Sequence, residues 1–139
     1  ERQGVSRYTI TIKHDKREEV EKLVRQIRKV VEVLAVFGYL DDEIVYNEIA
    51  LFKVATPIGG KPIDIETINK IYKAWVVYWG LDYVVIEKAG NENEILDFFR
   101  YIKSYGILEF VKSGRVAVGK TPAGLVEYLP EEVHWEYYV

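Results

Sequence analysis

From Asn47 to Lys120 the apolar residues alternate between two-residue and helical spacing, and the order of those changes admits few folds. Asn47 to Thr56 (NEIALFKVAT) reads as a strand whose continuous apolar middle predicts burial on both faces. The breaker Pro57 to Pro62 (PIGGKP) follows, as a loop inside the unit rather than a linker between domains. Asp64 then caps a short helix carrying Ile65, Ile68, Ile71 and Tyr72. Trp75 to Trp79 (WVVYW) and Asp82 to Glu87 (DYVVIE) are aromatic and β-branched, and Gly80 between them marks a hairpin. Asn91, with Glu94 at the third helical position, opens a second helix with the stripe Ile95, Phe98, Phe99 and Ile102, closed at Gly106. Ile107 to Val111 and Arg115 to Val118 make a last strand, interrupted at Ser113-Gly114. The order strand, helix, strand, strand, helix, strand predicts an α/β (α+β) chain: a ferredoxin-like βαββαβ sandwich with an antiparallel sheet and both helices on one face.

Ahead of this unit, Arg7 to Lys13 (RYTITIK) alternates Tyr8, Ile10 and Ile12 with polar residues and reads as a half-buried strand. Asp15 and Glu18 form a capping-box pattern before the helical stripe Val20, Leu23, Val24, Ile27 and Val31. Val30 to Phe37 (VVEVLAVF) then reads as a strand, and Gly38 to Asp42 as a turn. Residues 1–46 are therefore expected to be a strand–helix–strand piece, 47–120 a complete unit, and 121–139 an aromatic, acidic tail with no assigned element. The first piece buries too little to stand alone. Its open edge leads to the expectation of a homo-oligomer, at least a dimer.

Composition removes several functions. Lys and Arg number 19 against 22 Asp and Glu, and the basic run Lys13 to Arg17 passes straight into Glu18 and Glu19, which argues against nucleic acid. Cys is absent, which excludes disulfides, thiolate zinc sites and thiol nucleophiles. The two histidines, His14 and His134, stand at opposite ends of the chain. The longest nearly uncharged run, Ala74 to Leu81, is too short for a bilayer, and no basic then apolar leader opens the sequence. No membrane association and a cytoplasmic location are the corresponding expectations. Met is missing even at position 1, so a processed, truncated or incomplete chain is expected. Absent Cys and Met, scarce Gln and abundant Glu, Lys and Tyr point to a thermophilic source.

Val30 to Phe37, Glu48 to Val54 (EIALFKV), Tyr83 to Gly90 (YVVIEKAG), Ile95 to Arg100 and Glu109 to Gly119 (EFVKSGRVAVG) follow one another as in a known family. In their order and spacing, from Ser6 to Lys120, they resemble the regulatory small subunit of acetolactate synthase. The resemblance implies an N-terminal ACT domain, of which residues 1–46 would be the later part, and a ferredoxin-like C-terminal domain. It also implies dimerisation and a thiamine-diphosphate catalytic subunit as partner, activated by the small subunit and placed under feedback control by a branched-chain amino acid. It assigns no catalytic residue and no cofactor to this chain. The family's effector turn, of the type Asn/Asp-x-x-Gly-x-Leu, has no counterpart here, so no effector-binding residue is named either.

Four residues stand out as a candidate partner contact: Lys112, Ser113, Gly114 and Arg115, which match the family's best-marked turn. A β-bulge or tight turn that needs glycine is the competing structural reading. Gly59-Gly60-Lys61 lacks the spacing of a phosphate loop and reads as a βα connection. Asp41, Asp42 and Glu43 cannot all point at one cation and read as an exposed turn, so no metal site is expected. Trp75, Trp79 and Trp135 suit a partner surface, and the first two suit sheet packing equally. His14 beside Asp15 lacks a nucleophile and reads as a solvated helix start.

Overall fold

A computed structural model describes residues 6–13, 16–57 and 60–122. The chain divides into two compact units, Tyr46–Val116 and a second one made from Glu1–Val45 with Ala117–Val139. In chain order the elements are α1 (Arg17–Ile27), β1 (Ile44–Ala55), α2 (Ile65–Lys70), β2 (Ala74–Trp79), β3 (Tyr83–Gly90), α3 (Glu92–Ile102), β4 (Ile107–Lys112) and β5 (Val116–Gly119). No helix among the described residues is long and apolar enough to cross a membrane.

The Tyr46–Val116 unit has the ferredoxin-like order. The sheet runs β2-β3-β1-β4, every one of these pairs is antiparallel, and β5 also pairs with β1. Along β1 burial alternates: Glu48, Ala50, Phe52 and Val54 are buried, while Ile49 and Leu51 are 46 % and 41 % exposed. Burial on both faces, expected from the unbroken apolar run, is thus corrected. The run contains a period of two, and only its even positions meet the helices.

Ala50, Phe52 and Val54 form one core with Val84 and Ile86 of β3, Ala74 of β2, Ile68 of α2 and Ile95, Phe98 and Ile102 of α3. Both helices therefore lie on the same face of the sheet. Phe52 and Phe98 meet edge to face at 5.0 Å in the middle of it. Each such fully buried side chain contributes about 1.5–3 kcal/mol from removal of apolar surface from water. Local signals fix the helix starts. Asn91 Oδ1 accepts from Glu94 N at 3.0 Å while Glu94 Oε2 accepts from Asn91 N at 2.8 Å, and Asp64 Oδ1 accepts from Thr67 N at 3.0 Å. Gly106, at φ 93°, ends the turn that follows α3. Lys73, at φ 50°, takes a left-handed conformation just before β2, a position that favours glycine.

In the other unit α1 forms, with Val20 buried. The two segments read as strands around it do not become strands. Residues 6–12 join no ladder and no regular element, with Tyr8 83 % and Ile10 65 % exposed. The Val30 to Phe37 run begins in turns, with Val30 N–H donating to Ile27 O at 3.0 Å and Val33 N–H to Val30 O at 3.1 Å, and continues without a regular element. A strand exists only beside another strand that pairs its N–H and C=O groups, and neither segment joins a ladder among the described residues. Asp15, read as the helix cap, lies outside the described residues, as do His14, Pro57's neighbours at 58–59 and the tail from 123 onward. Gly38 lies against α1, where a Cβ would sit 2.6 Å from Val20 Cγ1 and 2.8 Å from Val24 Cγ2. Glu43 joins Arg17 in an ion pair and accepts from Leu40 N at 2.7 Å. Asp41–Glu43 is a short 3-10 turn, and Lys120 N–H donates to Glu43 O at 2.9 Å.

Candidate functional site

Lys112, Ser113, Gly114 and Arg115 join β4 to β5 along the same edge of β1. Antiparallel pairing carries β4 as far as Ala50 opposite Lys112. At the next residue the chain leaves the regular ladder, and Ser113 bridges the gap. Its N–H donates to Ile49 O at 2.8 Å and its hydroxyl accepts from Ile49 N at 2.9 Å. Oγ also donates to Gly114 O at 2.8 Å. The serine hydroxyl thus takes the place of a backbone carbonyl opposite Ile49, which holds the irregular turn against β1.

The flanking side chains are anchored on β1 too. Lys112 Nζ donates to Glu48 Oε2 at 2.8 Å, with the Glu48 side chain 7 % exposed and that of Lys112 32 %. The Arg115 guanidinium lies 4.1 Å from the centroid of the Tyr46 ring, a cation–π contact. Tyr46, Glu48 and Ile49 therefore seat Arg115, Lys112 and Ser113 respectively. Gly114 is different. A Cβ placed there would have nothing within 4 Å, and its φ is not positive. Neither crowding nor handedness in this chain calls for glycine at that point.

Sequence reasoning did not single out the β1 side of this arrangement. Glu48 shares the parity of Ala50, Phe52 and Val54, so its charge points toward the helix side, and parity alone could have found it. Lys88 follows the same rule on β3: it stands opposite both Ala50 and Ala74 and is 5 % exposed. Two alanines on either side leave room for its long stem on the core face.

The lysine and the arginine are held by a carboxylate and a ring, and the turn contains no acid–base pair aimed at a shared point. Among the described residues no three His, Asp or Glu side chains converge as a metal site. Of the other residues singled out, Trp75 and Trp79 are 54 % and 63 % exposed on β2. Lys61 lies 4.6 Å from the centroid of the Tyr105 ring. Gly59 and Trp135 fall outside the described residues. Elsewhere, an open cleft of about 460 Å³ runs beside α1, lined by Val20, Val24, Arg28, Val36, Phe37 and Tyr39.

A family model described as the small subunit of acetolactate synthase matches residues 47–121. The chain is 32 % identical over 117 residues to the acetolactate synthase small subunit of Bacillus subtilis, covering 84 % of this chain and 67 % of that protein. It is 33 % identical over 115 residues to the small subunit of Aquifex aeolicus, covering 83 % and 59 %. To the probable small subunit of Archaeoglobus fulgidus it is 30 % identical over 118 residues, covering 85 % and 72 %. Among solved structures, the acetolactate synthase small subunit of Thermotoga maritima superposes with a TM-score of 0.65 at 23 % identity, over 78 % of this chain and 67 % of that one. The chain thus spans about three-fifths to two-thirds of the first two relatives.

Proposed function

This chain belongs to the family of acetolactate synthase small subunits, and we propose that it acts as a regulatory, non-catalytic subunit through contact with an acetolactate synthase catalytic subunit. The observation that carries this reading is the family match over residues 47–121, which takes in the βαββαβ sheet from the fourth residue of β1 onward and the β4–β5 junction. The reading also holds that the chain supplies no catalytic group, works in the cytoplasm and self-associates.

Within it, Lys112, Ser113, Gly114 and Arg115 are the contact to the catalytic subunit. Two features support that assignment. The turn is fixed to β1 at three points, so a partner meets a preorganised surface rather than one that must be ordered on binding. Gly114 leaves bare backbone at an exposed position where the chain's own packing does not require it. A partner lying close to that backbone is the remaining reason for a glycine.

The test is acetolactate formation from pyruvate by the purified catalytic subunit, with and without the 139-residue chain. The chain alone should form no acetolactate, and its addition should raise the rate. Gly114→Leu should fold normally, by circular dichroism, yet lose most of the activation. No change in rate on adding the chain would defeat the function. Full activation by Gly114→Leu would defeat only the assigned contact.

A further inference from the structure

The cleft beside α1 is lined entirely by residues of the unit made from Glu1–Val45 and Ala117–Val139. Its walls are Val20 and Val24 from the apolar stripe of α1 and the facing chain at Val36, Phe37 and Tyr39. Of these only Val20 is buried, and Phe37 and Tyr39 are 39 % and 37 % exposed. A short amphipathic helix is held mainly by cover over its apolar stripe. An eleven-residue helix with one buried side chain therefore calls for a further layer. A second cleft, of about 340 Å³, adjoins the first through Arg28, Val36 and Phe37 and extends past Val33 and Leu34. The two together form a groove along α1.

The chain itself returns to the mouth of this groove. Gly119, at the end of β5, packs on the Tyr39 ring, where a Cβ would lie 2.9 Å from the Tyr39 hydroxyl oxygen. Lys120 is then tied down, its N–H donating to Glu43 O at 2.9 Å and its Nζ to Asp42 O at 2.8 Å. From Val20 to Arg28 the helix rises about 12 Å. Ten residues beyond Gly119 span about 15 Å as helix and more when extended, so Leu125 to Leu129 come within reach in either form. The chemistry matches as well. Residues 123–139 carry Glu127, Glu131, Glu132 and Glu136 and no Lys or Arg, with Leu125, Val126, Tyr128 and Leu129 among them. The groove presents Arg25 and Arg28 against the single carboxylate of Glu21. Arg25 meets Glu21 only at 3.8 Å, and Arg28 donates to a neutral acceptor, Val36 O, at 3.2 Å. A segment tethered this closely has an effective concentration on the order of millimolar, which few free partners match.

We propose that residues 123–139 fold back along α1 of the same chain, laying Leu125, Val126 and Leu129 over Val24, Val36 and Phe37 and bringing Glu131 and Glu132 beside Arg25 and Arg28. The tail then supplies the layer that α1 lacks. This goes beyond the regulatory reading and stands whether or not the chain activates a synthase. A second copy or a catalytic subunit would have to bring acidic and apolar groups to the groove together, whereas the tail has both and is already attached beside Tyr39.

Hydrogen exchange of the full chain tests it, read at Leu23, Val24 and Ile27 of α1 and at Phe52 and Phe98 of the other unit. Leu125→Asp/Leu129→Asp should speed exchange of the α1 amides at least about tenfold and leave Phe52 and Phe98 unchanged, with circular dichroism showing the fold retained. The charges are tested by a cycle that leaves Arg28 in place. Arg25→Ala should speed α1 exchange about twofold to fivefold in the wild-type chain, and by clearly less in Glu131→Gln/Glu132→Gln, where the partner carboxylates are gone. A contact within one chain gives the same rates at about 5 and about 200 µM. Wild-type α1 rates in the Leu125→Asp/Leu129→Asp chain would overturn the proposal, and so would an Arg25→Ala effect equal in both backgrounds. Protection of α1 that rises with concentration would assign the groove to a second copy. Protection indifferent to the tail substitutions but increased by added catalytic subunit would assign it to that subunit, and either result overturns the proposal.

Discussion

Glu48 is the residue in which packing and the candidate contact are most tightly joined. Its carboxylate is nearly buried on the core face of β1, and the ammonium of Lys112, 2.8 Å away, is what makes that burial tolerable. Lys112→Ala should therefore cost about 1–3 kcal/mol in urea denaturation, because it strands a buried charge. Changing both residues, Glu48→Leu with Lys112→Ala, should recover much of that loss, and a double variant no more stable than Lys112→Ala would count against the argument. Glu43 makes a different case. The Leu40 N–H, and then the Arg17 guanidinium, hold its carboxyl below its ordinary value of 4.5. A group depressed in the folded state stabilises it above the unfolded pKa and stops doing so as pH falls through the folded one. A carbon-detected NMR titration should thus find Glu43 more than half ionised at pH 4.5, and Arg17→Ala should move its midpoint up.

At the scale of elements, reading the sequence succeeds where a signal is local and fails where it depends on a partner. Asn91 with Glu94, Asp64, the hairpin at Gly80 and the closing Gly106 are each legible because one or two adjacent residues set the backbone. Arg7 to Lys13 and Val30 to Phe37 have strand periodicity, yet periodicity supplies only one side of a ladder. The turn Lys112 to Arg115 is visible as a motif, but its seats on Tyr46, Glu48 and Ile49 lie more than sixty residues away, and only register reveals them. Lys73 is a further position that sequence alone does not flag, because nothing local marks a left-handed lysine. Relief of that backbone should let Lys73→Gly gain up to about 1 kcal/mol, read as a higher denaturation midpoint. Asn91→Ala should lose about 1 kcal/mol by uncapping α3.

Over the whole molecule, stability should be uneven in a way the core itself dictates. Every member of the main core cluster, from Ala50 to Ile102, belongs to the Tyr46–Val116 unit. In the other unit only Val20 is a buried apolar side chain among the described residues, and Val31, Leu34 and Tyr8 are 94 %, 58 % and 83 % exposed. Since burial of apolar surface is the main term opposing chain entropy, α1 should open at a free energy several kcal/mol below that of the sheet. Native-state hydrogen exchange makes the comparison directly. Amides of Phe52, Ile86 and Phe98 should exchange only by global unfolding, with the full denaturant dependence. Amides of Leu23, Val24 and Ile27 should exchange through a smaller opening that urea affects weakly. The same reasoning expects a fragment of residues 46–120 to fold alone, with β1 still paired to β3 and β4. If α1 and the sheet exchanged with one common free energy, the two units would be a single cooperative structure and this account of their stability would be wrong.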